Sequence, residues 1–139
     1  MTSPMPLADL DITWTPMHGA LQAIRAAVSS TQLLSLCRGV RDGGGQLVSL
    51  WGEDGRDGLR LCVVLESGDQ LLVLEHELPS EAPTYPTLSE IFPSAARLQR
   101  AAQDLVGLHA LGGDDRPWLR HAAWPRDAFP LRTGPIDPA

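Results

Sequence analysis

The spacing of apolar residues along the chain separates helical segments from strand-like ones. Between Met17 and Val28, apolar residues recur every three or four positions, and Thr15 followed by Pro16 is a typical helix start. This pattern predicts a first helix over residues 15–28 with one buried face. The polar residues from Ser29 to Thr31 are expected to end it.

Four shorter segments, rich in Leu and Val, are typical of strands: residues 33–41, 46–51, 59–66 and 70–78. The glycines at 43–45 and the sequence Ser67-Gly68-Asp69 supply turn residues between them, so the four strands should form an antiparallel meander. In the last strand, Glu75, His76 and Glu77 indicate an exposed end.

A second helix is predicted from Ala95 to Val106, with Gly107 as its C-terminal stop. The sequence therefore predicts an α+β fold with one domain, in which two main helices pack on a mainly antiparallel four-stranded sheet. We expect an N-terminal arm over 1–14, a core over 15–107 and an extended C-terminal tail over 108–139.

Charge and hydropathy narrow the possible partners. The 139 residues contain eleven Arg, no Lys and seventeen acids, giving a net charge of -6. This balance argues against a nucleic-acid partner, which needs a basic face. The start of the sequence does not have the pattern of a signal peptide, and no apolar run is long enough for a membrane span, so we expect a cytoplasmic protein.

The side chains that could take part in catalysis or metal binding are scattered along the sequence. Cys37 and Cys62 fall in predicted strands and are expected to be reduced core thiols. The paired acids, Asp114 with Asp115 and Glu75 with Glu77, are typical of solvated turns and strand faces. The sequence predicts no catalytic residue, no bound metal and no cofactor, since metal-ligand spacing is missing from its four histidines: His18, His76, His109 and His121.

The second helix and the tail contain recognisable motifs. Residues 99–107 read Q-R-A-A-Q-D-L-V-G, residues 111–117 read L-G-G-D-D-R-P, and the tail continues with W-L-R-H-A-A-W-P and later P-L-R. These segments resemble the C-terminal signature of the thirty-kilodalton subunit family of respiratory complex I, the C subunit of bacterial NADH:quinone oxidoreductase. The same domain opens the large subunit of membrane-bound, formate-hydrogenlyase-type nickel–iron hydrogenases.

The resemblance is uneven along these motifs. The family helix reads E-R-E-x-x-D-L-x-G, so this chain matches at Arg100 and Asp104 but has Gln99 and Ala101 in place of the two glutamates. The family segment G-H-P-D-x-R-P is matched at its Asp, Arg and Pro, whereas its His-Pro pair is missing.

The resemblance implies a subunit without its own redox centre, a part of a respiratory or hydrogenase electron-transport complex that packs against the large subunit. It would lie on the cytoplasmic face of the inner membrane when assembled. Aromatic residues interleaved with Arg independently favour a protein interface in the tail. The predicted partner-binding residues are Arg100, Asp104, Arg116, Trp118, His121, Trp124, Pro130, Leu131 and Arg132.

Two alternatives stay open at this point. The tail aromatics could instead fold back over the domain's own sheet. The chain could also be a free-standing relative that acts as a small enzyme or ligand-binding domain, in which case it should have a pocket lined by titratable groups with displaced pKa values.

Overall fold

Five strands form the main sheet in the computed structural model, which describes residues 11–19, 22–55, 58–79, 81–113 and Phe129. The strand order is β1-β2-β5-β4-β3. Strand β2 runs parallel to β5, and the other neighbours are antiparallel. The strands are β1 (Thr15–Pro16), β2 (Ala23–Ala27), β3 (Gln46–Gly55), β4 (Gly58–Ser67) and β5 (Gln70–Leu78).

The α+β class and the mainly antiparallel sheet are confirmed. The strands predicted over 46–51, 59–66 and 70–78 correspond to β3, β4 and β5, which form the expected meander. The sheet has five strands where four were predicted, because two strands before Ser29 join the sheet and residues 33–41 do not.

The two elements predicted before Gln46 are wrong. Residues 15–28 contain strands β1 and β2, and residues 33–41 lie in helix α1 (Ser30–Asp42). Ser29 caps this helix: its side chain accepts a hydrogen bond from the backbone N–H of Gln32, whose side chain in turn accepts from the Ser29 N–H. This capping box shows that Ser29 begins a helix and does not end one.

The glycine segment after α1 connects a helix to a strand and is not the predicted hairpin. Gly43 caps the C-terminus of α1 through its backbone N–H, and Gly44 has a positive φ of 87°. At Gly45 a side chain would clash with the carbonyl oxygen of Glu66 and with Val40. These glycines let the chain turn sharply from α1 to the far edge of the sheet.

Helix α1 covers the middle of the sheet. It follows β2 and precedes β3, and it packs against β4 and β5 through Leu33, Leu36, Cys37 and Val40. The sheet residues of this covered face alternate along their strands, as half-buried strands require. They include Leu59, Leu61, Val63 and Leu65 of β4 and Leu72, Leu74, His76 and Leu78 of β5.

The second helix, α2 (Ala95–Val106), is confirmed with its predicted bounds. Gly107 ends it in the left-handed conformation, with φ of 86°. A short parallel pair flanks the helix: β6 (Thr84–Pro86) before it and β7 (His109–Leu111) after it. The backbone therefore returns past Tyr85 once α2 is complete.

One predicted exposed position is buried. The side chain of His76 is 8% exposed because it lies on the covered face of the sheet, opposite Leu61. Its Nδ1 donates to the carbonyl oxygen of Val28 at 2.9 Å, and Nε2 lies 3.2 Å from the Ser30 hydroxyl. The imidazole therefore fixes the start of α1 to β5. Of the three residues predicted to be exposed here, only Glu77 is exposed, and Glu75 is half-buried.

Candidate docking surface

Helix α2 lies on the same face of the sheet as α1, against the edge strand β3. Gly52 is paired with Leu61, so both residues point to the covered face. A side chain at Gly52 would come within 2.7 Å of Leu108 Cδ1 and 3.2 Å of Val106 Cβ. The missing side chain at Gly52 is what lets the end of α2 approach the strand closely.

A buried amide connects α2 to the segment that precedes it. Gln99 is 2% exposed, and its Oε1 accepts a hydrogen bond from the backbone N–H of Leu88 at 2.7 Å. Its Nε2 donates to Thr87 Oγ1 at 3.0 Å. Because the amide both donates and accepts, Gln99 bonds the Leu88 N–H and the Thr87 hydroxyl at the same time. These two bonds fix the distance between this turn and α2.

Arg100 and Asp104 are the two predicted partner-binding residues that the structure describes. Both lie on α2, four residues apart, so they share one side of the helix. Asp104 is fully buried, whereas Arg100 is half-buried. The Asp104 carboxylate is thus enclosed by the domain, whereas part of the Arg100 side chain reaches the surface.

The other predicted partner-binding residues lie outside the described part of the chain. They are Arg116, Trp118, His121, Trp124, Pro130, Leu131 and Arg132. Their role therefore stays a prediction.

An apolar notch lies between β3 and α2. Leu50 and Gly52 point to the covered face, whereas Trp51 points to the opposite one, so a cavity bounded by all three lies at the edge of the strand. Its volume is about 50 Å³, which suits a small apolar group. The helix side of the notch consists of Ala101, Ala102, Leu105 and Val106.

The face of the sheet away from the helices carries charge pairs around Glu75. The Oε2 of Glu75 lies 2.6 Å from Arg60 Nη1, and its Oε1 lies 3.9 Å from Arg25 Nη1. Nearby, the Trp51 indole N–H donates to Glu53 at 3.0 Å. This face thus combines paired charges with one exposed aromatic ring.

Burial controls the thiol chemistry. The prediction that Cys37 and Cys62 are reduced core thiols is confirmed, since both are buried and unbonded. Burial raises the pKa of each thiol from 9.0 to about 12, and at Cys62 the carboxylates of Glu53 and Glu75 add to this effect. Neither thiol is a nucleophile at neutral pH.

Metal binding and displaced pKa values both depend on how the titratable side chains of the described residues are placed. Within them, no cluster of three or more His, Cys, Asp or Glu side chains is placed to hold a metal ion. The clearly displaced pKa values in this part of the chain belong to three core groups, Cys37, Cys62 and Tyr85, and burial raises all three. No helix in this part is long and apolar enough to cross a membrane.

Sequence reasoning missed three residues that shape this surface: Trp51, Gly52 and Gln99. The isolated Gly52 inside an otherwise apolar strand was a signal for close backbone approach. For Gln99, its position on the inner side of α2 could have indicated a buried amide. Nothing in the sequence indicates that Trp51 lies at a sheet edge, because strand order is a tertiary property.

Comparison with known proteins gives a family match. The model of the family described as "Respiratory-chain NADH dehydrogenase, 30 Kd subunit" matches residues 26–134. No curated protein matches the chain.

Two solved structures have a similar fold. One is a trypsin-resistant fragment of Nqo5, at 17% identity and a TM-score of 0.62, with 74% of this chain and 89% of that chain covered. The other belongs to the membrane-bound sulfane sulfur reductase, an archaeal respiratory membrane complex, at 15% identity and a TM-score of 0.76. That alignment covers 91% of this chain and 78% of the other.

Proposed function

Because this chain belongs to the family of the respiratory-chain NADH dehydrogenase 30 kDa subunit, we propose that it is a non-catalytic docking subunit. Its partner is the large subunit of a complex I-like or membrane-bound, nickel–iron-hydrogenase-like assembly. The chain reaches the cytoplasmic face of the inner membrane only through that assembly.

The observation that carries this proposal is the extent of the family match. It runs from residue 26 to residue 134 and so includes α2 together with most of the tail. The shared sequence is thus not confined to the residues that build the sheet. A requirement for contact with other subunits would account for the similarity in α2 and the tail as well as in the sheet.

The described chemistry supports a role without catalysis. The thiols and the phenol with raised pKa values lie in the core, where substrate has no access. The notch between β3 and α2 is lined by apolar groups and contains no titratable side chain. No observation in the described residues favours the alternative of a small enzyme or ligand-binding domain.

We assign separate roles to the helix and the tail. Buried Asp104 fixes α2 within the domain, and Arg100 offers a guanidinium for charge-assisted hydrogen bonds with the partner. The tail would supply aromatic anchors and further guanidinium groups. These tail residues are Arg116, Trp118, His121, Trp124, Pro130, Leu131 and Arg132.

The test is affinity purification of the tagged chain from gently solubilised membranes and cytosol of the source organism, with mass spectrometry of the recovered proteins. We expect a hydrogenase-like large subunit together with iron–sulfur and membrane subunits. Trp124→Ala should weaken binding of the large subunit by about 2 kcal/mol or more if Trp124 is an anchor. Trp124→Phe is the matched control, because it keeps an aromatic ring at this position.

Recovery of the chain alone would contradict the docking role. Unchanged binding by Trp124→Ala in calorimetry would remove only this residue from the interface.

A further inference from the structure

The segment that follows α2 is hydrogen-bonded to the segment that precedes the helix. The N–H of His109 donates to the carbonyl oxygen of Pro83 at 2.9 Å, and β7 then runs parallel to β6 as far as Leu111. The carbonyl oxygen of Leu111 accepts from the N–H of Thr87 at 3.1 Å. Both ends of β7 are therefore fixed to the backbone around β6.

A tight turn follows β7 and ends at Gly113. Gly112 adopts a left-handed conformation, with φ of 84°, and the N–H of Gly113 donates to the carbonyl oxygen of Ala110 at 3.2 Å. Glycine takes such a positive φ without the strain that a side chain would add. The turn brings the backbone of Gly113 close to Thr87 and Gln99.

Gly113 has no room for a side chain. A Cβ atom at this position would lie 3.0 Å from Thr87 Oγ1, 3.2 Å from Gln99 Nε2 and 3.2 Å from Ala110 Cβ. The first two atoms are held in place, because Nε2 donates to Oγ1 at 3.0 Å and Oγ1 also accepts from the N–H of Ser89 at 3.2 Å. A larger residue would therefore displace the backbone at position 113 and leave the buried amide where it is.

These contacts join two parts of the proposed docking surface. Gln99 is 2% exposed and immediately precedes Arg100 on α2. Only two residues separate Gly113 from Arg116, the first tail residue that is predicted to bind the partner. The set of Thr87, Gln99 and Gly113, which we name the Gln99 cluster, thus connects the helix that carries Arg100 to the start of the tail.

We propose that the Gln99 cluster is a positioning site: it fixes the direction in which the chain leaves the domain at Gly113 and so places the tail relative to Arg100 for binding to the partner subunit. Fixing the start of a binding segment lowers the conformational entropy that is lost when the segment binds. This inference rests on the proposed function. It gives the cluster a role in binding without requiring that any of its residues touches the partner.

Gly113→Ala tests the proposal. The φ of Gly113 is not positive, so alanine adds one methyl group without left-handed strain. The displaced backbone should misdirect the tail, and we expect binding of the large subunit to weaken by about tenfold or more in calorimetry. The unfolding midpoint in urea should change little, because position 113 lies beyond the last described strand.

Gly43→Ala is the matched control. It adds the same methyl group at the end of α1, where φ is -86° and the nearest atom to the new Cβ would be the carbonyl oxygen of Gly39 at 3.4 Å. This is an ordinary contact distance, and Gly43 lies outside the Gln99 cluster. Binding of the large subunit should be unchanged in this variant.

A double variant distinguishes positioning from direct contact. Thr87→Ala removes the atom nearest to the added methyl group, so the backbone at position 113 has to shift less. Gly113→Ala should therefore weaken binding by a smaller factor in a Thr87→Ala chain than in the unchanged chain. Equal factors in both chains would mean that Gly113 touches the partner directly, and the positioning role would be overturned.

The remaining outcomes are distinguishable. Unchanged binding by Gly113→Ala in a chain that still joins its assembly would overturn this inference and leave the docking role standing. A lowered unfolding midpoint with unchanged binding would show that the cluster serves only the stability of the domain, which also overturns the inference. Failure of the unchanged chain to join any assembly would overturn the proposed function together with this inference.

Discussion

The two helices lie on one face of the sheet, but they are buried by different chemistry. Helix α1 buries Leu33, Leu36, Cys37 and Val40 against the central strands. The buried residues of α2 are mostly small or polar, namely Ala95, Gln99, Ala102, Asp104 and Val106. Ala102 and Val106 lie against the edge strand β3, whereas Gln99 bonds the turn at Thr87 and Leu88. Helix α1 is therefore held mainly by apolar burial, whereas α2 depends on close approach and buried polar groups.

This difference bears on function. Helix α1 covers the middle of the sheet, so truncation of its buried side chains lowers the stability of the core. Helix α2 lies at the edge of the sheet, and its Ala101 and Leu105 border the apolar notch beside β3. The buried amide of Gln99 fixes α2 to the turn that precedes it and lies outside the notch.

Leu36→Ala should produce the largest loss of stability. Leu36 is fully buried on α1, so truncation removes its burial and leaves a cavity in the core. We expect the free energy of unfolding to fall by about 2–5 kcal/mol in urea titration. Thr31→Ala on the exposed side of the same helix is the control and should stay within about 0.5 kcal/mol. A small effect at Leu36 would mean that α1 is not held by apolar packing.

Gln99→Ala tests whether α2 depends on buried hydrogen bonds. The substitution leaves the Leu88 N–H without its acceptor in the interior, so we expect a loss of about 1–3 kcal/mol in the same measurement. Arg97→Ala provides the matched control, since Arg97 is the exposed residue of this helix. If both variants have equal stability, the amide does not anchor α2 and the proposed contrast with α1 fails.

The sequence allowed α2 to be predicted but not α1. For α2, apolar spacing and the stop at Gly107 agree with the structure, so its bounds could be predicted. For α1, the spacing of Leu33, Leu36 and Val40 and the capping box at Ser29 were present, but a run of adjacent Leu and Cys is equally typical of a buried strand.

Strand β2 shows a different limit of prediction from sequence. Its sequence, Ala-Ile-Arg-Ala-Ala, has good helix formers, and pairing with β5 overrides that preference. A five-residue segment does not indicate a parallel neighbour more than forty residues away. The notch at the candidate site was unpredictable for the same reason, because it requires knowing that β3 is at the edge and next to α2.

The Cys37 thiol on α1 makes the free energy of unfolding depend on pH. Burial raises the pKa of Cys37 from 9.0 to about 12, so the folded chain keeps this proton when the unfolded chain loses it. Stability from this difference is fully present below pH 9.0 and is lost as the pH rises through about 12, by up to about 1.4 kcal/mol per pH unit. Urea titrations across this range should show the decline, and Cys37→Ala should make it less steep. Cys62 and Tyr85, whose pKa values burial also raises, contribute in the same direction and account for part of the remaining decline. An equal slope in Cys37→Ala would contradict burial of this thiol.

The smallest expected effects on stability distinguish the N-terminal caps of the two helices. Ser29 accepts a hydrogen bond from the Gln32 N–H in the capping box of α1, so Ser29→Ala should cost about 1 kcal/mol. Ser94 stands at the same position of α2 but makes no capping hydrogen bond there through its side chain, and Ser94→Ala should stay within about 0.5 kcal/mol. Urea titration of the two variants compares the same atom deletion at two helix starts. Equal losses would show that the cap of α1 contributes nothing specific, whereas a difference near 1 kcal/mol would show that α1 is held by its own cap as well as by the core.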